Sequence, residues 1–240
     1  MSADQIYATA REHIVDFAFD ETVAAVFPDM IRRSVPGYGD VVALTGLVAE
    51  RFAQAHTRCY DLGCSLGAVT LAMRRRVRAP GVELIAVDNA QAMVKRCHEN
   101  VAAEPGPPVQ VTCADIRNVH VENASVVVLN FTLQFVPPAD RLALLTHIRT
   151  GLVPGGVLIL SEKIVFADAD TQRFNEAMHL DFKRANGYSE LEISQKRSAI
   201  EKVLVPDTLE AHQARLAAAG FTRVESWYRC FNFTSLVAFA

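Results

Sequence analysis

Short apolar runs alternate along this chain with longer stretches of helical spacing, and that alternation is the pattern of an α/β domain. Thr57 to Tyr60 reads as a first strand, Val82 to Val87 as a second that ends at Asp88, and Val109 to Cys113 as a third. Ala124 to Leu129 is a continuous apolar run rather than an alternating one, as expected of a strand covered on both faces at the centre of a parallel sheet. Helical spacing fills the intervals at Ala68 to Arg74, Ala90 to Val101 and Ala139 to Thr150, the last stopping at Gly151. Pro105-Gly106-Pro107-Pro108 breaks the chain, and Pro154-Gly155-Gly156 turns it into an apolar strand from Val157 to Leu160.

Residues 162–203 read instead as two polar helices joined around Asn186-Gly187. A helix from Leu209 to Ala219 follows, then strands near Phe221 to Tyr228 and Asn232 to Phe239. The first 50 residues also look helical, with a break from Ser34 to Gly39. The expected fold is a single domain over 1–240 with a Rossmann-like, doubly wound, mostly parallel seven-stranded sheet. A helical lid over 1–55 and a helical insertion over 162–208, set before the last two strands, are expected to roof a cofactor cleft.

Composition narrows the function classes. Half of the 240 residues are hydrophobic and a fifth are charged, an ordinary globular balance with enough chain for one sizeable core. A net charge of −3 leaves no basic footprint for direct nucleic-acid binding. The start, Met1-Ser2-Ala3-Asp4-Gln5, lacks a basic segment followed by an apolar core, and no apolar run approaches the ~20 residues that span a bilayer, so a cytoplasmic protein without a membrane partner is expected. The five cysteines are scattered without a CxxC pair, and the seven histidines, His13, His56, His98, His120, His147, His179 and His212, show no metal-ligand spacing. Neither a metal nor a catalytic histidine is assigned, and no general base is evident.

The candidate chemistry begins at Tyr60-Asp61-Leu62-Gly63-Cys64-Ser65-Leu66-Gly67, where a strand ends in two glycines before a helix. Glycine accepts positive φ and lets a ligand touch bare main chain. The three-residue spacer departs from the dinucleotide fingerprint, so a ligand without phosphates fits better. Cys64 has no histidine nearby in sequence to activate it, and its plain role is to fill the turn. Asp88, at the end of the second strand, takes the paired hydroxyls of a ribose or caps the helix behind it; Asn89 reaches a base or shares in that cap. Asp115-Ile116 follows the third strand, where a carboxylate and a backbone N–H hold an adenine or simply make a surface turn. Asn130 closes the fourth strand, on the side of the sheet where open α/β folds bind ligands, or caps the next segment. Tyr38 offers a hydroxyl from the N-terminal part or packs half-buried. The stretch from Asp181 to Arg197 is rich in cations, and an arginine there suits a carboxylate or forms a solvated face.

Loop, Asp88, Asp115 and Asn130 at successive strand ends, with Pro154-Gly155-Gly156 and a two-strand ending, look like the class I S-adenosylmethionine-dependent methyltransferase fold. One family is resembled closely over nearly the whole chain: the carboxy-S-adenosyl-L-methionine synthases. The stretches that carry the resemblance are Val26 to Ile31 with Arg33 to Tyr38, Tyr60 to Gly67, Asn123 to Ser125 leading to Leu129 to Phe135, and Asp181 to Arg197. It implies that S-adenosyl-L-methionine and prephenate become carboxy-S-adenosyl-L-methionine and phenylpyruvate through a sulfonium ylide that captures carbon dioxide. It further implies a homodimer whose product serves a carboxymethyltransferase acting on the wobble uridine of transfer RNA. Tyr38, Gly63, Cys64, Ser65, Asp88, Asn89, Asp115, Ile116, Asn130 and Arg197 match the family's contacts to cofactor or product, and Arg197 matches the residue that pairs the new carboxylate. Lys183, Arg184 or Arg33 remain open as partners of prephenate.

Overall fold

The computed structural model describes residues 3–9, 17–200 and 203–240; His13 lies outside them, as does part of the expected N-terminal helical segment. Two helices, α1 (Glu21–Ser34) and α2 (Tyr38–Phe52), precede the sheet. Asp20 caps α1 by accepting the Val23 N–H at 2.9 Å. Then β1 (Arg58–Leu62), α3 (Ala68–Arg76), β2 (Glu83–Asp88), α4 (Gln91–Ala102), β3 (Val109–Cys113) and β4 (Ala124–Asn130) follow in regular alternation. The second half comprises α5 (Arg141–Gly151), β5 (Leu152–Val165), α6 (Ala169–Ala185), α7 (Glu190–Ile200), β6 (Asp207–Thr208), α8 (Leu209–Ala218), β7 (Arg223–Cys230) and β8 (Phe233–Phe239).

Seven strands run in the order β3-β2-β1-β4-β5-β8-β7, with β8 antiparallel to both its neighbours and the rest of the path parallel. The strand order reverses between β1 and β4, which opens a crevice at their carboxyl ends. Two differences from the sequence pattern concern β5. It begins at Leu152, through the Pro-Gly-Gly turn, because Leu152 already pairs with Ala124 ahead of a register shift. It also continues to Val165, since Lys163 pairs with Phe233, and Ile164 and Val165 pair with the two-residue β6, an eighth strand too short to show any periodicity.

The run in β4 is apolar because both its faces are covered. Val127 and Leu129 pack with Leu144, Leu145 and Ile148 of α5, while Val126 and Val128 pack with Ala49 of α2 and Val69 and Met73 of α3. Each such side chain fully removed from water contributes about 1.5–3 kcal/mol. Ionisable groups also lie within this interior, Asp61, Arg141 and Glu162 among them. Arg141 is fully buried, donating through Nε to Val136 O at 2.9 Å, through Nη2 to Gln134 O and Val205 O at 3.2 and 2.8 Å, and pairing with Asp207 at 2.6 Å. It thereby ties the loop after β4 to the chain that returns from α7.

Candidate active site

The carboxyl ends of β1 to β4 open into a cavity of about 280 Å³ whose remaining wall comes from α1, α2, β5, α6 and α7. After β1 the chain bends at Gly63, φ +90°, and the N–H groups of Gly63 and Cys64 both donate to Val87 O at 2.8 and 2.9 Å. A Cβ on Gly63 would overlap the Thr132 side chain, so close approach as well as positive φ requires glycine. Ser65 also has positive φ, and its N–H donates to Asp88 Oδ2 at 2.8 Å. The other oxygen of Asp88 accepts the Ala90 N–H at 2.9 Å. Asp88 thus makes a turn ahead of α4, whose N-cap is Ala90 without a side-chain cap bond, and the same carboxylate braces the glycine loop. Burial pushes its pKa up against the lowering effect of these N–H donors.

Nine of the ten residues singled out in the sequence line this cavity: Tyr38, Gly63, Cys64, Ser65, Asp88, Asn89, Asp115, Ile116 and Asn130. Asp115 is also a turn residue, accepting the Arg117 N–H at 2.9 Å and pairing with its guanidinium, which holds the carboxyl below its usual range. Cys64 is buried, and a hydrogen bond from its thiol to Cys97, together with burial, pushes its pKa up, which suits a filler of the turn and not a nucleophile. Tyr38 packs its ring 6.3 Å from that of Phe131, and burial raises its phenol, so the hydroxyl remains a proton donor.

Two acceptors in this wall are left without a partner among the described residues. Asn130 Oδ1 is buried and unbonded, and so is Asp61 Oδ1, while Asp61 Oδ2 accepts the Thr70 hydroxyl at 2.6 Å. An unpaired buried acceptor costs about 1–3 kcal/mol, so its retention at a cavity fits a ligand that brings donors. Burial lifts the Asp61 carboxyl to about 6, with the Asp88 charge adding to the effect. Phe131, immediately after Asn130, holds a φ of +58°, a sparsely populated conformation for a bulky residue and one that clusters at functional sites. Asp61 was not a candidate from the sequence, although its place two residues before Gly63 could have marked it.

Cations also line this cavity. Lys163 of β5, Lys183 of α6 and Lys196 of α7 line the cavity together with His179. Lys196 is held by Tyr188 Oη at 3.0 Å, Ser34 Oγ at 2.9 Å and Asp4 at 3.4 Å, and burial brings its pKa down to about 8. His179 bonds Ser34 O through Nε2 at 2.8 Å; the carbonyl only accepts, so Nε2 carries the proton and Nδ1 is the ring's acceptor. Burial, then the Lys183 charge, brings this imidazole down to about 3, so it is neutral at ordinary pH. The i, i+4 spacing of Asn175, His179 and Lys183 was the available sequence signal, three polar residues on the inward face of a polar helix.

Of the three cations left open in the sequence, only Lys183 lines the cavity. Arg33 is engaged with Asn186 O at 2.7 Å and with Asp29 at 3.2 Å, and Arg184 pairs with Asp181 and Glu190 on the surface. Arg197 is exposed on α7 and is not among the lining residues; its neighbour Lys196 points inward instead. The Arg197 charge still acts on Lys163 and Lys183, depressing both. Among the described residues no helix is long and apolar enough to cross a membrane.

A glycine loop at the switch point of a 3-2-1-4-5-8-7 sheet, with acceptors at successive strand ends, defines a protein of the class I S-adenosylmethionine-dependent methyltransferase fold. Residues 59–156 match the family model of a methyltransferase domain. Human N-acetylserotonin methyltransferase, solved in complex with SAM, shares the fold at a TM-score of 0.61 with 15% identity, covering 91% of this chain and 55% of that one. The particular family follows from closer relatives. The carboxy-S-adenosyl-L-methionine synthase of Geobacter metallireducens is 62% identical over 98% of this chain and 97% of its own, and that of Citrifermentans bemidjiense is 58% identical over 98% of each. The chain belongs to the carboxy-S-adenosyl-L-methionine synthase family and is an enzyme of that family.

Proposed function

We propose that this enzyme converts S-adenosyl-L-methionine and prephenate into carboxy-S-adenosyl-L-methionine and phenylpyruvate. The observation that carries the reading is the mixed lining of one cavity: unpaired acceptors at the strand ends and lysines line it together. A sulfonium amino acid needs acceptors at its ammonium and ribose, and a dicarboxylate needs cations.

In this reading the main chain of Gly63, Cys64 and Ser65 touches the methionine part, with Asp61 and Asn130 accepting from its ammonium. Asp88 and Asn89 take the ribose and base edge, and Asp115 with the Ile116 N–H takes the adenine. Prephenate loses carbon dioxide and hydroxide as its ring becomes aromatic. The hydroxide removes a proton from the methyl group, whose acidity the sulfonium raises, and becomes water. The resulting ylide carbon attacks carbon dioxide, forming one C–C bond and a carboxylate. The protein's part is to position the reactants and keep out water. Tyr38 donates to the new carboxylate, and Arg197 pairs with it after swinging from the exposed side of α7. Segments 1–55 and 162–208 serve as covers of the cavity. The enzyme works as a cytoplasmic homodimer, and its product supplies a transfer-RNA carboxymethyltransferase without this chain itself binding nucleic acid.

Incubation with S-adenosyl-L-methionine and prephenate, followed by mass spectrometry, tests the reading. Carboxylated cofactor and phenylpyruvate should appear in equal amounts. Folded protein that binds S-adenosyl-L-methionine yet forms neither product would sink it.

A further inference from the structure

Lys163 and Lys183 are unusual among the cations at this cavity. Lys196 and Arg117, which also line it, each have oxygen partners, whereas neither the Lys163 nor the Lys183 ammonium has a hydrogen-bond or ion-pair partner among the described residues. The two come from different elements, β5 and α6, and their charges repel, with Arg197 and Lys196 adding to the repulsion at Lys183. Placing two unpaired like charges in a partly desolvated wall is unfavourable unless an anion completes it. Glu176 offsets some of the charge at Lys163 without reaching ion-pair distance, and the neutral His179 contributes none. An aromatic surface adjoins the pair: Phe131 and Phe233 lie 5.9 Å apart edge to face, and the His179 ring sits 4.9 Å from Phe233.

We propose that Lys163 and Lys183 form a two-point anchor for a dicarboxylate with an unsaturated ring, the second substrate, each ammonium taking one carboxylate while the ring lies against Phe131 and Phe233. The identity of that substrate as prephenate rests on the function proposed above; the existence of the anion site does not. Lys163 and Lys183 act as binding anchors, distinct from the acceptors that hold the sulfonium. Anion binding also draws protons onto the pair. Burial, then the charges of Lys163, Lys196 and Arg197, holds Lys183 down to about 7, and burial lowers Lys163 as well. Affinity for the dianion therefore falls as pH rises through 7, where free Lys183 loses its proton.

The test uses full-length protein saturated with S-adenosylhomocysteine, which lacks the methyl group, so that nothing turns over. Prephenate and phenylpyruvate are titrated by calorimetry at pH 6.5 and 8.5, in two buffers of different ionisation enthalpy. Lys163→Met and Lys183→Met should each weaken prephenate about 10- to 100-fold, the worth of one charge-assisted hydrogen bond. Phenylpyruvate, with a single carboxylate, should respond strongly to only one of them. Lys163→Arg and Lys183→Arg should recover most of the loss, and prephenate binding to the unaltered protein should take up protons. Affinity for S-adenosylhomocysteine, measured on every variant, should stay within about twofold because these lysines are not among the glycine-loop and strand-end groups assigned to it. Unchanged prephenate affinity in both methionine variants, or failure of the unaltered protein to bind either acid, overturns the proposal. If the lysines control anion binding and no carboxylated cofactor ever forms, the proposed function fails and the anion site stands. If Lys163→Met/Lys183→Met makes carboxylated cofactor at the unaltered rate, the site fails and the function stands.

Discussion

Replacement of Gly63 by alanine probes the turn on which the cofactor side of the cavity depends. Two costs arise. An L-residue with a side chain in the left-handed region loses about 1–2 kcal/mol, and Gly63 sits at φ +90°. The added methyl would also overlap Thr132 Oγ1 and Cγ2 and stand 2.9 Å from Thr132 Cβ. Thr132 has little room to retreat. Its hydroxyl donates to Asn130 O at 3.3 Å, and the next two N–H groups, of Leu133 and Gln134, are pinned to the Glu162 carboxylate at 2.8 and 3.0 Å. Forfeiting one of those bonds costs about 1–3 kcal/mol. Less the roughly 0.4–1 kcal/mol that alanine gains by stiffening the unfolded chain, Gly63→Ala should cost about 1–5 kcal/mol, divided between fold stability and cofactor affinity. Urea unfolding and calorimetric titration with S-adenosyl-L-methionine measure the two parts. Thr132→Ala removes the two overlapping atoms, so the double variant Gly63→Ala/Thr132→Ala should recover about 1–2 kcal/mol of the loss as a coupling energy. Wild-type stability and affinity in Gly63→Ala, or strict additivity in the cycle, would refute the reasoning.

Three further outcomes are expected. Above pH 8, where the buried Glu162 is ionised, Glu162→Gln retains one acceptor oxygen and turns an amide NH2 against the other backbone N–H, so it should lower unfolding free energy by about 1–3 kcal/mol in urea; a neutral result there would mean that the loop after β4 does not depend on this carboxylate. His212 is buried on α8 with both ring nitrogens unbonded among the described residues, and burial brings it down to about 4. Between its ordinary 6.5 and 4 the unfolded chain binds a proton that the folded one refuses, so stability is lost as pH falls through that window, by about 2 kcal/mol at pH 5. Asp61 and Glu162, raised to about 6 and about 8, act in the opposite sense; the readout is therefore the stability of His212→Leu relative to the parent, which should grow between pH 7 and pH 5 and would contradict the burial argument if it stayed flat. Arg197→Ala should weaken carboxy-S-adenosyl-L-methionine by about 2–5 kcal/mol while affecting S-adenosyl-L-methionine less; calorimetry that finds equal losses, or none, removes Arg197 from its proposed role.

Much of the fold was legible because its signals are local. The unbroken apolar run of β4 reflects burial on both faces, and the glycines at 63 and 67 mark positive φ wherever the rest of the chain goes. β5 was read short at both ends. Its start is set by Ala124 and its end by Phe233 and Asp207, partners distant in sequence, and a glycine-rich turn conceals pairing of that kind. The fully buried Arg141 gave no local sign either, since its partners lie on the β4 loop and at residues 205–207.

By itself the sequence determined the alternation of strands and helices, the bend after β1, and the polar residues that end β1 to β4. A parallel sheet brings successive strand ends to one edge, so local pattern was enough to gather Gly63, Asp88, Asp115 and Asn130. Only the tertiary structure decided which cations face them. Arg33, Arg184 and Arg197 carry the same charge as the lysines that line the cavity, but two are engaged elsewhere and the third is exposed on α7. Lys163 and Lys183 come together because a strand extended by its pairing meets the inward face of α6. The direction of a charged side chain is set by the packing of the element that carries it, and no spacing along the chain records that packing.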